Sequence, residues 1–209
     1  MNDQNRELVS RASYGTDGST PVDRLGTWLS RRAILREIGS RCGLAVMELG
    51  CGFAARNLVA IEDRASRLVA IDYNLSGDLK SRPKFEVLEL PAIPAMDKLA
   101  GNSFDLILVI SVLEHLDNPF EVLSRCRGLL KPGGKLLINV PTWRGKLLLE
   151  FSAFRLGWSP KTEMDEHKMY YDKRDLWPLL VAAHFLPSHI RLRYHKFGLN
   201  LFAVVTREN

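Results

Sequence analysis

A chain of 209 residues with a formal net charge of +5, 46% hydrophobic and 25% charged residues, has the make-up of one globular domain. Those fractions exclude wholesale disorder, collagen and coiled coil, and no apolar run approaches the ~18 residues of a membrane-spanning helix. The charge surplus is uneven: residues 141–209 hold 11 basic against 7 acidic residues and four of the five histidines. That favours an anionic substrate or surface near the C-terminal part, although no dense basic block demands nucleic acid.

The three cysteines, Cys42, Cys51 and Cys126, form neither a close metal pair nor a disulfide scaffold. Cys42 and Cys126 lie among apolar residues and read as small buried hydrophobes. The start of the chain has no apolar leader core, so a cytoplasmic location is expected.

Residues 1–20 are polar and rich in Gly, Ser, Asn and Asp, as in a loosely packed arm. Pro21 to Gly39 predicts a helix, with Leu25, Trp28, Leu29, Arg32, Leu35 and Ile38 at helical spacing, packing on the domain edge or closing a pocket. Residues 1–40 thus form an arm and helix ahead of a single domain over 41–209. From Leu44 the pattern alternates. Strands are expected at Leu44–Leu49, Arg67–Ile71, Phe85–Leu88, Phe104–Ile110 and Lys135–Val140. Helical stretches fall at Ala54–Arg64 and Pro119–Leu130, the latter with Phe120, Leu123, Cys126 and Leu130 on one side. Lys131-Pro-Gly-Gly reads as a turn. This alternation, with near-continuous apolar strands, predicts an α/β fold with a parallel sheet covered on both faces.

After Pro141 the alternation loosens. Residues 142–171 read as a cap insertion in which Trp143, Phe151, Phe154 and Trp158 pack, line an apolar pocket or contact a membrane. Asp172–Phe185 predicts a helix with Leu176, Leu179, Leu180 and Ala183 inward. Ile190–Tyr194 and Leu201–Val205 are joined by so short a link that they must pair antiparallel.

The sharpest feature is Glu48-Leu-Gly50-Cys51-Gly52-Phe-Ala54, between a strand and a helix. Glycines there allow a tight turn and close approach of backbone to a ligand. Asp72 ends the next strand, 22 positions after Gly50, where a carboxylate can accept two ribose hydroxyls. The loop lacks the Gly-Lys-Ser/Thr ending of a P-loop. It also lacks a third fingerprint glycine, since Ala55 stands there. Glu48 would repel a pyrophosphate and suits a cationic cofactor. The plainer alternative is a tight turn with Asp72 as a solvent-facing cap.

Together these residues resemble the class I S-adenosylmethionine-dependent methyltransferases, in the small-molecule, type 11-like branch. The resemblance runs from Val46 to Val140 and more weakly to Val205. It implies a Rossmann-like seven-stranded sheet ordered 3-2-1-4-5-7-6, with strand 7 antiparallel and helices on both faces. It implies S-adenosylmethionine as cofactor and S-adenosylhomocysteine as product. The cofactor would be held by Glu48, Gly50, Cys51, Gly52, Asp72, Glu89, Leu90 and Ser111. Phe104 to Leu116 is similar to the family's fourth strand and following loop, and Leu129 to Ile138 to the turn into strand five.

The implied reaction is methyl transfer to a small or lipid- or glycan-linked acceptor, at oxygen. His115 after strand four is either the general base or a loop support. Glu114, Trp143, Tyr170 and Tyr171 are expected at the acceptor pocket, with His167 as a second catalytic candidate. Glu163, Asp165, Glu166 and His167 do not make a closed metal site, and no metal is expected. Protein or RNA methylation and a non-catalytic cofactor-binding scaffold are the competing functions. Peripheral membrane contact is compatible with the composition.

Overall fold

The computed structural model describes residues 21–151 and 168–209. In chain order the elements are α1 (Pro21–Ile38), β1 (Leu44–Leu49), α2 (Arg56–Val59), β2 (Ala65–Asp72), α3 (Gly77–Lys80), β3 (Phe85–Glu89), α4 (Ala92–Met96) and β4 (Phe104–Ile110). Then follow α5 (Pro119–Leu129), β5 (Leu130–Pro141), α6 (Trp143–Phe151), α7 (Lys173–Ala182), β6 (Ile190–His195) and β7 (Asn200–Thr206).

The seven strands form one sheet in the order β3-β2-β1-β4-β5-β7-β6, as expected. β1 to β5 are parallel, and β7 runs against both β5 and β6. All six residues of β1 are buried, because helices cover both faces of a parallel sheet. Alternate residues feed two cores. Met47, Leu49, Ile107 and Ile138 pack under α5 and α7, while Val46, Leu106, Leu108 and Phe202 pack under α1 and α2. Strand order reverses at β1, so the C-terminal ends of β1 and β4 open a crevice there.

Several boundaries differ from the sequence expectation. The helix expected over Ala54–Arg64 is short, with α2 followed by a 3-10 turn at Glu62–Arg64. β5 absorbs the Lys131-Pro-Gly-Gly turn and pairs back to Phe104. On α5, Val122, Leu123, Cys126 and Leu129 face inward, and Phe120 lies at the exposed first turn capped by Asn118. Leu130 belongs to β5. Cys126 is buried as expected, but Cys42 is exposed in the turn that precedes β1. α7 starts one residue later than expected, because Asp172 and Asp175 form a capping box around its first turn.

The largest difference is the face that α1 buries. Ser30, Ala33, Ile34 and Ile38 point into the sheet, whereas Leu25, Trp28 and Leu35 are 51%, 50% and 38% exposed. Small side chains let the helix axis approach β5–β7–β6. Glu37 is drawn to the same face by Lys135 and Arg191, each at 3.4 Å, and by Arg193 at 3.9 Å.

α6 is seated by a close backbone approach. Thr142 donates its Oγ1 hydrogen to the Gly198 carbonyl at 2.8 Å, and a Cβ at Gly145 would lie 2.3 Å from the Leu199 carbonyl oxygen. Gly145→Ala therefore forces α6 off the β6–β7 link. The expected cost is about 1–3 kcal/mol, read as a lower urea midpoint with unchanged slope.

Candidate active site

The loop after β1 is fixed by the end of β2. The N–H groups of Gly50 and Cys51 both donate to the Ile71 carbonyl, at 2.8 and 3.2 Å. Gly52 N–H donates to Asp72 Oδ2 and Tyr73 N–H to Asp72 Oδ1, both at 2.7 Å. Gly50 and Gly52 take φ of 63° and 72°. A Cβ on Gly50 would also stand 2.3 Å from Cγ2 of Val112, in the loop after β4. The first glycine is thus required twice, by its dihedral angle and by the close approach of the two loops. Buried Ala55, at φ 41° and ψ 47°, turns the chain into α2 through a left-handed residue.

Glu48 lies beneath this loop and is 1% exposed. Its Oε1 accepts from Asn57 Nδ2 at 2.6 Å. Glu48 Oε2 and Asn57 Oδ1 are buried with no hydrogen-bond partner. Burial, aided by the Asp72 charge and opposed by Asn57, pushes the Glu48 carboxyl up to about 8. Burial also raises the Cys51 thiol, with Glu48 and Asp72 adding to the effect, so Cys51 holds no thiolate nucleophile.

Glu89 faces Asp72 across the β2–β3 register. Its carboxylate accepts from Leu75 N–H at 3.1 Å and pairs with Lys80 at 2.6 Å, and the Lys80 contact holds its pKa below the usual value. It therefore fixes the turn after β2. Leu90 is half-buried against the core. Ser111, at φ 56°, is exposed at the crevice, and its N–H donates to the Asn139 carbonyl at 2.8 Å.

A second cluster forms where β4 and β5 end. The Glu114 carbonyl accepts from Lys168 and Met169 N–H at 2.8 and 3.3 Å, and Tyr171 N–H donates to the Pro141 carbonyl at 3.0 Å. These bonds bring Tyr170 and Tyr171 to the post-β4 turn, both buried. Tyr170 packs on Trp143 with ring centroids 5.6 Å apart, and the Trp143 indole donates to Asp175 at 3.2 Å. The Glu114 carboxyl is 1% exposed, its Oε2 has no partner, and burial lifts it to about 8. Tyr171 is lifted to about 12 by burial, with the Glu114 charge adding to it. His115, half-buried, ends the same 3-10 turn, with its N–H on the Val112 carbonyl at 3.0 Å. His167, Glu163, Asp165 and Glu166 lie outside the described residues.

Sequence reasoning missed Asn57 and Asn139. Asn139 is fully buried, with neither amide atom partnered. Its signal was a single amide inside the apolar run of β5. Asn57 gave none, since an asparagine early in a helix is ordinary. Among the described residues no group of three or more His, Cys, Asp or Glu side chains could hold a metal ion.

The geometry has counterparts elsewhere. Residues 47–138 match the family model of a methyltransferase domain. An uncharacterised protein of Methanocaldococcus jannaschii is 29% identical over 76% of this chain and 67% of its own length. A ubiquinone biosynthesis O-methyltransferase of Idiomarina loihiensis is 26% identical over 68% of this chain, which spans 61% of that relative. Among solved structures, 1,6-didemethyltoxoflavin-N1-methyltransferase of Burkholderia thailandensis superposes with a TM-score of 0.62 at 16% identity, covering 94% of each chain. A methyltransferase domain is matched from β1 into β5, and the sheet that closes on the reversed strand β7 has the fold of the class I S-adenosylmethionine-dependent methyltransferases.

Proposed function

We propose that the chain transfers the methyl group of S-adenosylmethionine to an oxygen of a small or lipid- or glycan-linked acceptor. The carrying observation is the loop pinned by Asp72 above a buried, half-partnered Glu48. Those residues fit the cofactor. Asp72 ends β2 beside the glycine loop, where a carboxylate can accept ribose hydroxyls. Glu48 lies where a cation would supply the charge that its Oε2 lacks. The likeness to an O-methyltransferase supports oxygen as the acceptor atom.

Bound S-adenosylmethionine supplies a methyl group on a sulfonium, which is already activated. The protein's share is alignment and exclusion of water. Tyr170, Tyr171 and Trp143 wall the acceptor side. Glu114, protonated at neutral pH, donates a hydrogen bond to the acceptor. His115 would take the proton that the acceptor hydroxyl gives up on methylation. Labelled-methyl transfer into cell extracts, followed by identification of the product, tests the reading. A methyl ether or ester is expected, and labelled protein or RNA as the main product would refute it.

Two binding measurements test the cofactor site. Asp72→Ala removes the loop anchor and the ribose acceptor together. Calorimetry should show S-adenosylhomocysteine affinity falling about 10- to 100-fold, since a charge-assisted bond contributes about 1.5–3 kcal/mol. Glu48 gives a pH signature. Its carboxyl, at about 8 without ligand, must lose a proton to pair with a cation. Affinity for S-adenosylmethionine should rise with pH and level above about 8, with a slope of up to about tenfold per unit. Glu48→Gln should flatten that slope.

A further inference from the structure

The outward face of α1 has no task in the site described above. At 100° per residue, Arg24, Leu35, Trp28, Arg32, Leu25 and Arg36 fall in that order within one third of the helix circumference. All six are exposed. The apolar and cationic side chains interleave, and Arg32 stacks on Trp28 with its guanidinium carbon 5.5 Å from the ring. The acid of this helix with a described side chain, Glu37, is turned inward to Lys135, Arg191 and Arg193. The outward third is therefore cationic and apolar at once.

A second feature lies near the first turns of α1. Lys196 meets the inward side of the helix at Gly26, with its Nζ 3.6 Å from where a Gly26 Cβ would lie. Lys196 and Phe197 both take left-handed backbone angles, φ 50° and 60°. That costs about 1–2 kcal/mol per residue and leaves the Phe197 ring 91% exposed. Neither packing nor turn chemistry explains an aromatic in this place, where Gly or Asn would serve.

We propose that the outer face of α1, with the exposed Phe197 of the hairpin tip near its first turns, docks on an anionic lipid bilayer. Leu25, Trp28, Leu35 and Phe197 enter the headgroup boundary, and Arg24, Arg32 and Arg36 pair with lipid phosphates. Aliphatic side chains among the arginines favour a bilayer over RNA, whose phosphates and bases offer leucine no partner. The hairpin tip lies at the C-terminal edge of the sheet, so a docked molecule would bring its crevice to the membrane. The inference goes beyond methyl transfer and does not depend on it.

The test is flotation of the full chain with phosphatidylcholine vesicles, with and without about 30 mol % phosphatidylglycerol. Binding to the anionic vesicles, weakened by salt, is expected. Arg24→Gln with Arg32→Gln should reduce it more than tenfold, at about fivefold per cation. Trp28→Ser with Phe197→Ser should reduce it further at high salt, where the apolar share remains. These side chains lie outside the core, so unfolding midpoints and S-adenosylhomocysteine affinity should not move. Absence of vesicle binding with cofactor affinity intact would overturn the docking proposal alone. RNA competing fully for the bound chain, or variants that bind as the parent does, would overturn it too.

Discussion

The bond from Gly52 N–H to the Asp72 carboxylate, 2.7 Å long, ties the ends of β1 and β2 and determines the shape of the site. It acts with the two bonds that Ile71 accepts from Gly50 and Cys51. Three donors of one loop are thus consumed by the neighbouring strand, and the loop cannot slide. Parallel pairing makes this possible, because only in a parallel pair do both strands end at the same edge. Val112 then closes on Gly50 from β4, the other neighbour of β1. The crevice at the strand reversal is therefore bounded by contacts that exist before any ligand arrives.

The crevice is built from polar groups held at some cost. Glu48 and Glu114 each carry one buried oxygen without a partner, and Asn139 has two such atoms. Each such group costs about 1–3 kcal/mol relative to a satisfied one. A domain of this size tolerates a few of them where they prepare charge and hydrogen bonds for a ligand. Glu48 lowers its cost by holding a proton at neutral pH, which a cation can displace. Burial raises Glu114 in the same way, and burial, with the Glu114 charge adding to it, raises Tyr171.

α1 shows how far periodicity reaches. Two stripes of this helix are compatible with burial, one through Leu25, Trp28 and Leu35, the other through Ala33, Ile34 and Ile38. The first carries the larger side chains. The folded chain buries the second, and on that side Glu37 meets Lys135, Arg191 and Arg193 from distant strands. Phe120 and Cys42 were misplaced for a related reason. A residue at a helix start or in a turn contributes to a pattern without having a neighbour to pack on.

The sheet order came from the family resemblance, whereas the sequence alone determined the alternation of strands and helices, the position of the glycine loop and the spacing to Asp72. These follow from local signals: continuous apolar strands, glycines at a strand end and an acid at the next. The antiparallel C-terminal hairpin was legible in the same way. Only the tertiary structure decided that Glu89 pairs with Lys80, that Asn57 pairs with Glu48, that Asn139 is buried, and which face of α1 meets the sheet. Each of these depends on partners tens of residues away or on burial from several directions. A linear pattern encodes the period of an element, but the field and space around a side chain exist only once the elements have packed.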